Sequence, residues 1–149
     1  MNESRSHFSC TVFEGKIVVS GGFNRGSLNT VEAYDHVENS WTNMHNMIEG
    51  RRYHKSIALK NKLYVFGGIF TKTYEVYDST CKKFIALKSP HNCFISPNSV
   101  ISIGSKLVLF KFRKKSLLIF DLEDNSFSEE PCEVTKDLLG FSCVKVPHF

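Results

Sequence analysis

Apolar residues recur along this chain in short bursts, not in long stripes. In the middle of the sequence they read "KSIAL", "KLYVF", "TYEVY" and "KFIAL", four segments between Lys55 and Leu87. Each is rich in Val, Ile, Tyr and Phe and is bounded by Gly, Asn, Asp or Lys, which predicts strands. No segment sustains a 3.6-residue period long enough for a helix. One stretch of helical length, "EEPCEVTKDLLG" from Glu129, is interrupted by Pro131, which removes a backbone donor and clashes with the preceding turn.

The bursts repeat. "KIVVSGGF", Lys16 to Phe23, returns 46 residues later as "KLYVFGGI", Lys62 to Ile69. An aromatic followed by Asp occurs at Tyr34-Asp35, Tyr77-Asp78 and Phe120-Asp121, each 43 residues after the last. Six residues beyond each Asp stands another aromatic: Trp41, Phe84 and Phe127. "RSHFSCTVFEGKIVVSGG" from Arg5 aligns without gaps on "RRYHKSIALKNKLYVFGG" from Arg51. The third copy keeps "SKLVLF", Ser105 to Phe110, but has Lys111 and Phe112 where the glycine pair should be. "FSC" at Phe8 returns at Phe141, three periods on. Three markers in one order, repeated, define a structural repeat of about 44 residues. The predicted units are 5–48, 51–89 and a degenerate 93–130, with a terminal strand at 138–147.

Four antiparallel strands per unit at this spacing suggest propeller blades. Leucine-rich, ankyrin and tetratricopeptide repeats are shorter and partly or wholly helical, and WD repeats carry a Trp-Asp pair that is absent here. The order Gly-Gly, then Tyr-Asp, then an aromatic six residues on resembles the kelch repeat. The residues that carry the resemblance are Arg51, His54, Gly67, Gly68, Tyr77, Asp78 and Phe84 in the second unit, and Arg5, Gly21, Gly22, Tyr34, Asp35 and Trp41 in the first. Phe84 and Phe127 stand where the family usually has Trp. The resemblance implies an all-β fold: a partial kelch β-propeller of three four-stranded antiparallel blades plus one C-terminal strand, spanning 1–149.

Physical roles follow for the markers. Gly-Gly closes the second strand, where lack of a Cβ lets another group approach closely. The fourth-strand aromatic is expected to pack on that spot. The Asp is expected at the turn between strands three and four, bonded to backbone amides.

Composition narrows the function classes. The 149 residues are 42% hydrophobic and 23% charged, ordinary for a globular protein. The start, "MNESRSHFSC", lacks a secretory signal pattern, and no apolar run reaches membrane-spanning length. Five cysteines (Cys10, Cys81, Cys93, Cys132 and Cys143) contain no C-x-x-C pair, so zinc is not indicated. Buried or semi-buried free thiols in a reducing, cytoplasmic compartment are the expectation. The net charge of +4 permits an acidic partner without requiring nucleic acid.

Catalytic patterns are weak. "GGFNRGS" has the glycine spacing of a phosphate loop, but no Lys precedes Ser27. "VVSGG" lacks the leading glycine of a nucleophile elbow, and Phe66 replaces Ser20 in the next copy. The six His (7, 36, 45, 54, 91 and 148) show no metal spacing, and His54 reads as a structural hydrogen-bonding position. "DHVEN" and "DLEDN" lack the EF-hand glycine and glutamate. "KFRKK", Lys111 to Lys115, reads as a solvated hairpin or as part of a basic recognition surface. No enzyme activity, cofactor, metal, nucleic acid or membrane is expected.

Loops after strands two and four of each unit emerge at one end of the blades. They carry Asn24, Arg25, Arg51, Arg52, Lys72, His91, Arg113 and Lys114, a basic and polar set. Arg forks suit an acidic or phosphorylated peptide, and loops on a rigid scaffold are where binding concentrates. Arg51 also matches Arg5, which suggests a role in the repeat. The expected function is therefore a protein-interaction module, with a protein substrate as partner. The resemblance implies the substrate-recognition part of a kelch-like ubiquitin ligase adaptor. Contact with a cullin would come only through an upstream BTB domain absent from these residues. Actin binding by a kelch actin-organising protein, and a truncated product without function, are the alternatives. Three blades and a strand do not close a ring, since propellers have about 4 to 8 blades; the chain reads as the C-terminal part of a longer protein.

Overall fold

The computed structural model describes residues 1–69, 71, 73–87, 100–111 and 116–132. All regular structure among them is strand. The first sheet holds β1 (Ser9–Phe13), β2 (Lys16–Ser20), β3 (Val31–Asp35) and β4 (Ser40–Asn43). The second holds β5 (His54–Leu59), β6 (Lys62–Gly67), β7 (Tyr74–Asp78) and β8 (Lys83–Leu87). The third holds β9 (Val100–Ile103), β10 (Lys106–Lys111), β11 (Ser116–Asp121) and β12 (Ser126–Pro131). Each sheet is an antiparallel meander in chain order, and together they form a partial kelch β-propeller. The terminal strand expected at 138–147 lies outside the described residues. Pro131 ends β12, a sheet edge, where a missing N–H costs no ladder bond.

The meander sets the two ends of each blade. The β1–β2 and β3–β4 turns lie at one end, with residues 21–30 and the 44–53 linker at the other. The tight end is built from left-handed residues at matching places: Asn39, Lys82 and Asn125 have φ of 48°, 51° and 54°. Before each sits the expected Asp. Asp35 Oδ1 accepts the N–H groups of Val37 (2.9 Å) and Glu38 (3.2 Å), and Asp78 Oδ1 those of Thr80 (2.8 Å) and Cys81 (3.1 Å). The Glu38 amide, then Lys16 and Val37, hold the Asp35 carboxyl below its usual range. The Cys81 and Thr80 amides do the same for Asp78.

Strand alternation gives each blade two apolar faces. Phe13, Val18, Val31 and Ala33 of the first blade pack on Leu63, Val65, Tyr77 and Phe84 of the second, with Met47 of the linker sealing the contact. The opposite face of the second blade, Tyr64, Phe66, Tyr74 and Val76, packs on Leu107, Leu109, Leu118 and Phe120 of the third. β1 and β5 adjoin across the first junction, where the Ser56 N–H and hydroxyl both reach Ser9 Oγ at 2.8 Å.

Two expectations need correction. The fourth-strand aromatic does not pack on the glycine pair. It packs on the aromatic beside the Asp of its own blade: Tyr34–Trp41 at 5.1 Å, Tyr77–Phe84 at 5.1 Å and Phe120–Phe127 at 4.5 Å between ring centroids. The register explains this, since the two residues sit directly opposite on neighbouring strands. The glycines instead make room for the next blade's linker. A Cβ on Gly21 (φ +55°) would stand 2.5 Å from the Arg51 carbonyl and 2.7 Å from the His54 ring. The cysteine expectation also fails in part, because Cys10 and Cys81 are exposed; Cys132 is half-buried, and Cys93 and Cys143 lie outside the described residues.

Arg51 is the largest fully buried side chain among the described residues. Its guanidinium meets Glu75 Oε1 through Nη2 at 2.6 Å and through Nε at 3.1 Å, the Gly67 carbonyl at 2.8 Å and Thr73 Oγ1 at 2.6 Å. Removing one member of a buried ion pair strands the other without water, at about 3–5 kcal/mol. Arg51→Ala should therefore lower unfolding stability by about that much in urea titrations. Arg51→Met with Glu75→Leu together should cost clearly less than Arg51→Ala alone.

Candidate functional site

The buried arginine corrects one of the surface residues expected for binding. Arg51 is fully enclosed and engaged, so it belongs to the blade junction and not to a recognition surface. Arg5 repeats it: its side chain is equally buried, bonds the carbonyls of Gly21 (2.7 Å) and Thr30 (3.1 Å), and pairs with Glu32. The carboxylates carry the linker as well. Glu75 accepts the N–H groups of Ile48 (2.7 Å) and Glu49 (3.2 Å), and Glu32 accepts those of Asn2 and Glu3. Burial pushes Glu32 up, but the Asn2 amide and the Arg5 guanidinium outweigh it and leave the carboxyl below its usual range. Both acids stand three residues before the Asp of their blade. That regularity, an acid inside an apolar strand, was a legible signal for the pair and went unread.

The third blade abandons this arrangement. Leu118 occupies the position of Glu32 and Glu75. Lys111 occupies that of the first glycine, is 3% exposed, and pairs through Nζ with Glu129 at 2.6 Å. Ser116 Oγ donates to the other Glu129 oxygen. Lys111 thus lies buried in the sheet and is not part of a solvated hairpin. Residues 112–115 of that basic run lie outside the described residues.

Of the remaining expected binding residues, Lys72, His91, Arg113 and Lys114 also lie outside the described residues. Asn24 and Arg25 are exposed in the β2–β3 loop, Arg25 with φ +58°. Arg52 is half-buried on the 44–53 linker, directly after the anchored Arg51. Its guanidinium carbon lies 4.6 Å from the centroid of the Phe23 ring, a cation–π contact. Phe23 is held by paired backbone bonds with Ser6, 3.1 and 2.8 Å. The two loops therefore meet at one rim, Phe23, Asn24 and Arg25 from one side and Arg52 from the other.

Beside them sits a ring pair that sequence reasoning missed. His7 and Tyr53 precede β1 and β5 at equivalent positions, with φ of 53° and 54°. Their ring centroids are 4.2 Å apart, and the Tyr53 N–H donates to the His7 carbonyl at 3.0 Å. Bulky residues in the left-handed region are rare and are kept only where surrounding bonds over-determine them. Tyr53 is 40% exposed, so the pair offers aromatic surface next to the basic rim. Sequence alone gave no sign of it, because His and Tyr share no visible pattern there.

His54 takes the structural role expected for it. Its Nε2 lies 2.9 Å from Ser20 Oγ of the preceding blade. A serine beside a histidine is the shape of a nucleophile and its base. Here Ser20 has no exposure, and among the described residues no third group bonds His54 Nδ1 to orient the ring. Among the described residues no group of three or more His, Cys, Asp or Glu side chains is placed to hold a metal ion. No helix of the described residues is long and apolar enough to cross a membrane.

With the geometry defined, the comparisons with known proteins are informative. Residues 4–48 match the family model described as the Kelch motif. The zebrafish (Danio rerio) Kelch-like protein 26 is 36% identical over 120 residues, covering 72% of this chain and 20% of that protein. The Kelch repeat and BTB domain-containing protein 1 of horsepox virus is 37% identical over 82 residues, covering 49% of this chain and 14% of that protein. The chain thus spans about a fifth or less of the length of these relatives. Among solved structures, that of YjhT superposes with a TM-score of 0.74 at 17% identity, over 89% of this chain and 54% of that one, a likeness of fold. The chain is a kelch-repeat protein that resembles the kelch-like proteins.

Burial first, and then the Arg51 charge, push His54 down to about 3 from an ordinary 6.5. The unfolded chain then binds a proton that the folded chain refuses between those values, so this group makes stability fall as pH drops through that window. Urea midpoints measured from pH 7 to pH 4 should decline for the native chain. For His54→Gln the decline should be shallower, leaving mainly the contribution of carboxylates titrating near and below pH 4.

Proposed function

We propose that this kelch-repeat chain is a protein-interaction module whose loop end binds an acidic or phosphorylated segment of a protein substrate. The observation that carries the reading is the rim itself, Arg52 braced over Phe23 beside the exposed Asn24 and Arg25. A guanidinium held against an aromatic face keeps its donors in a fixed plane, which suits bidentate capture of carboxylate or phosphate oxygens. The blades below are rigid, so little side-chain freedom is lost on binding. The reading is of a binding protein, not an enzyme.

The similarity to kelch-like and BTB-kelch proteins supports reading the chain as part of a ubiquitin ligase adaptor, as the part that selects the substrate; a cytoplasmic place is part of the same proposal. In that arrangement a cullin is met through a BTB domain elsewhere in the adaptor, and these blades contribute no cullin contact. Actin organisation is the rival use of the same repeats, and it makes a separate demand: the chain should sediment with filaments unaided.

The test is a phosphopeptide and acidic-peptide array probed with the purified chain, followed by titration of the best ligand. Arg25→Ala with Arg52→Ala should weaken that ligand at least tenfold, since each charge-assisted hydrogen bond contributes about 1.5–3 kcal/mol. Affinity of the native chain should fall with added salt. Equal affinity of the double variant would reject the rim, and cosedimentation with filamentous actin would favour the rival.

A further inference from the structure

Five residues close a circuit of contacts where the first and second blades meet. The Arg52 guanidinium lies over the Phe23 ring. Phe23 is tied to Ser6 by backbone bonds in both directions, 3.1 and 2.8 Å. Ser6 precedes His7, whose ring meets that of Tyr53 with centroids 4.2 Å apart. Tyr53 follows Arg52 and completes the loop. Its N–H, donated to the His7 carbonyl at 3.0 Å, bonds one blade to the next. The chain is anchored two residues before Tyr53, by Arg51 on Glu75, and one residue after it, by His54 on Ser20.

Within this frame the Tyr53 side chain serves the interior poorly. Its φ of 54° lies in a region that bulky residues avoid and that Asn or Gly accepts at lower cost. His7 has the same conformation at the equivalent place, so the repeat sets the backbone and the tyrosine does not. The ring held there stays 40% exposed, and its hydroxyl has no hydrogen-bond partner among the described residues. Beside it, Arg52 has no carboxylate partner among the described residues, and its Nε is buried without an acceptor. The exposed Arg25 likewise meets no carboxylate among them. An uncovered ring and two cations without an anion thus stand on one rim.

We infer that Tyr53 is a ring-binding subsite of this rim, which takes an aromatic side chain two residues away from the acid held by Arg52 and Arg25. The inference rests on the acidic-segment reading above. In an extended peptide, residues two apart point the same way at a spacing of about 7 Å, so one face of the ligand serves both the guanidinium and the ring. Charge decides which group suits the Tyr53 face. A lysine or arginine is also attracted to a tyrosine ring, but here it would stand beside Arg52 and Arg25, and like charges repel. A neutral aromatic ring sets its positive edge against the Tyr53 face, or stacks offset on it, with no such repulsion.

A peptide array with glutamate or phosphoserine fixed at the centre and every other position varied in turn, probed with the purified chain, tests the subsite. Aromatic residues two positions from the acid should be preferred about fivefold over alanine, confirmed by titration of the paired peptides. Tyr53→Phe should keep the preference. Tyr53→Asn removes the ring while suiting the left-handed backbone, so its urea midpoint should be no lower than that of the native chain. It should lose the aromatic preference and still require the acid. Tyr53→Leu takes its place if Tyr53→Asn misfolds. Selection of the acid without an aromatic preference overturns the inference and leaves the acidic-segment reading standing. So does leucine selected as strongly as phenylalanine, and so does a preference that survives loss of the ring. An array on which no acidic peptide binds rejects the acidic-segment reading itself, and the subsite falls with it.

Discussion

Arg51 holds two blades at once, and much of the molecule follows from how it does so. Its side chain reaches forward to Glu75 and the Gly67 carbonyl of its own blade. Its backbone carbonyl reaches back and accepts the Gly22 N–H of the preceding blade at 2.7 Å. The residue is therefore a rivet through the junction, and the first glycine of each pair meets it. At Gly21 the rivet's carbonyl occupies the space that a Cβ would need. At Gly67 the peptide carbonyl must face inward to meet the guanidinium, at φ +73°. An ion pair this deep gains little net stability over apolar packing, because both charges lose their water. Its value is geometric: bonds from one guanidinium to a carboxylate, a carbonyl and a hydroxyl fix where the linker runs.

The third blade tests that reasoning. With Leu118 in place of the carboxylate, an arginine at the matching site would have no anion to meet, and a second-strand glycine would have no guanidinium to receive. Lys111 stands where that glycine would be, and a shorter route across the sheet supplies its anion, Glu129 on β12. The loss of the carboxylate at Leu118 and the gain of Lys111 are coupled through one charge balance. Degeneracy at the sequence level is thus the replacement of a buried pair by one between the buried Lys111 and the exposed Glu129, and the apolar face toward the second blade is kept intact by Leu107, Leu109, Leu118 and Phe120.

Period and alternation made most of the fold legible, since both act within a single strand or turn. The spacing of Tyr34, Tyr77 and Phe120 located three β-strands and the Asp turns that follow them, where the backbone N–H groups that those Asp side chains accept lie within three residues. What escaped was set by contacts between units. The Arg51 carbonyl that crowds Gly21 and accepts the Gly22 N–H lies on the next blade's linker, tens of residues away. Arg51 and Arg52 are identical letters side by side, and only burial separates the enclosed rivet from the half-buried guanidinium at the rim. His7 and Tyr53 share a backbone conformation that neither residue type prefers, so nothing in their chemistry announced it. Cys10 is exposed because alternation turns it, with Val12, to the uncovered flank.

The adjacency of Arg51 and Arg52 also ties function to architecture. Arg52 follows directly on the anchored Arg51, so the buried guanidinium fixes the backbone from which the Arg52 side chain leaves. Arg52 therefore inherits its position from the junction, and Phe23 completes the brace from the other blade. Under the proposed function, the Arg52 side of the rim is tied to the contact between blades. Weakening the junction should then loosen recognition without touching a recognition residue. The sign of such an effect differs from that of removing Arg52 itself: a loosened rim loses affinity through entropy and keeps its salt dependence, whereas a missing guanidinium removes a charge and flattens it. That difference separates a residue that meets the ligand from one that only holds its neighbour in place.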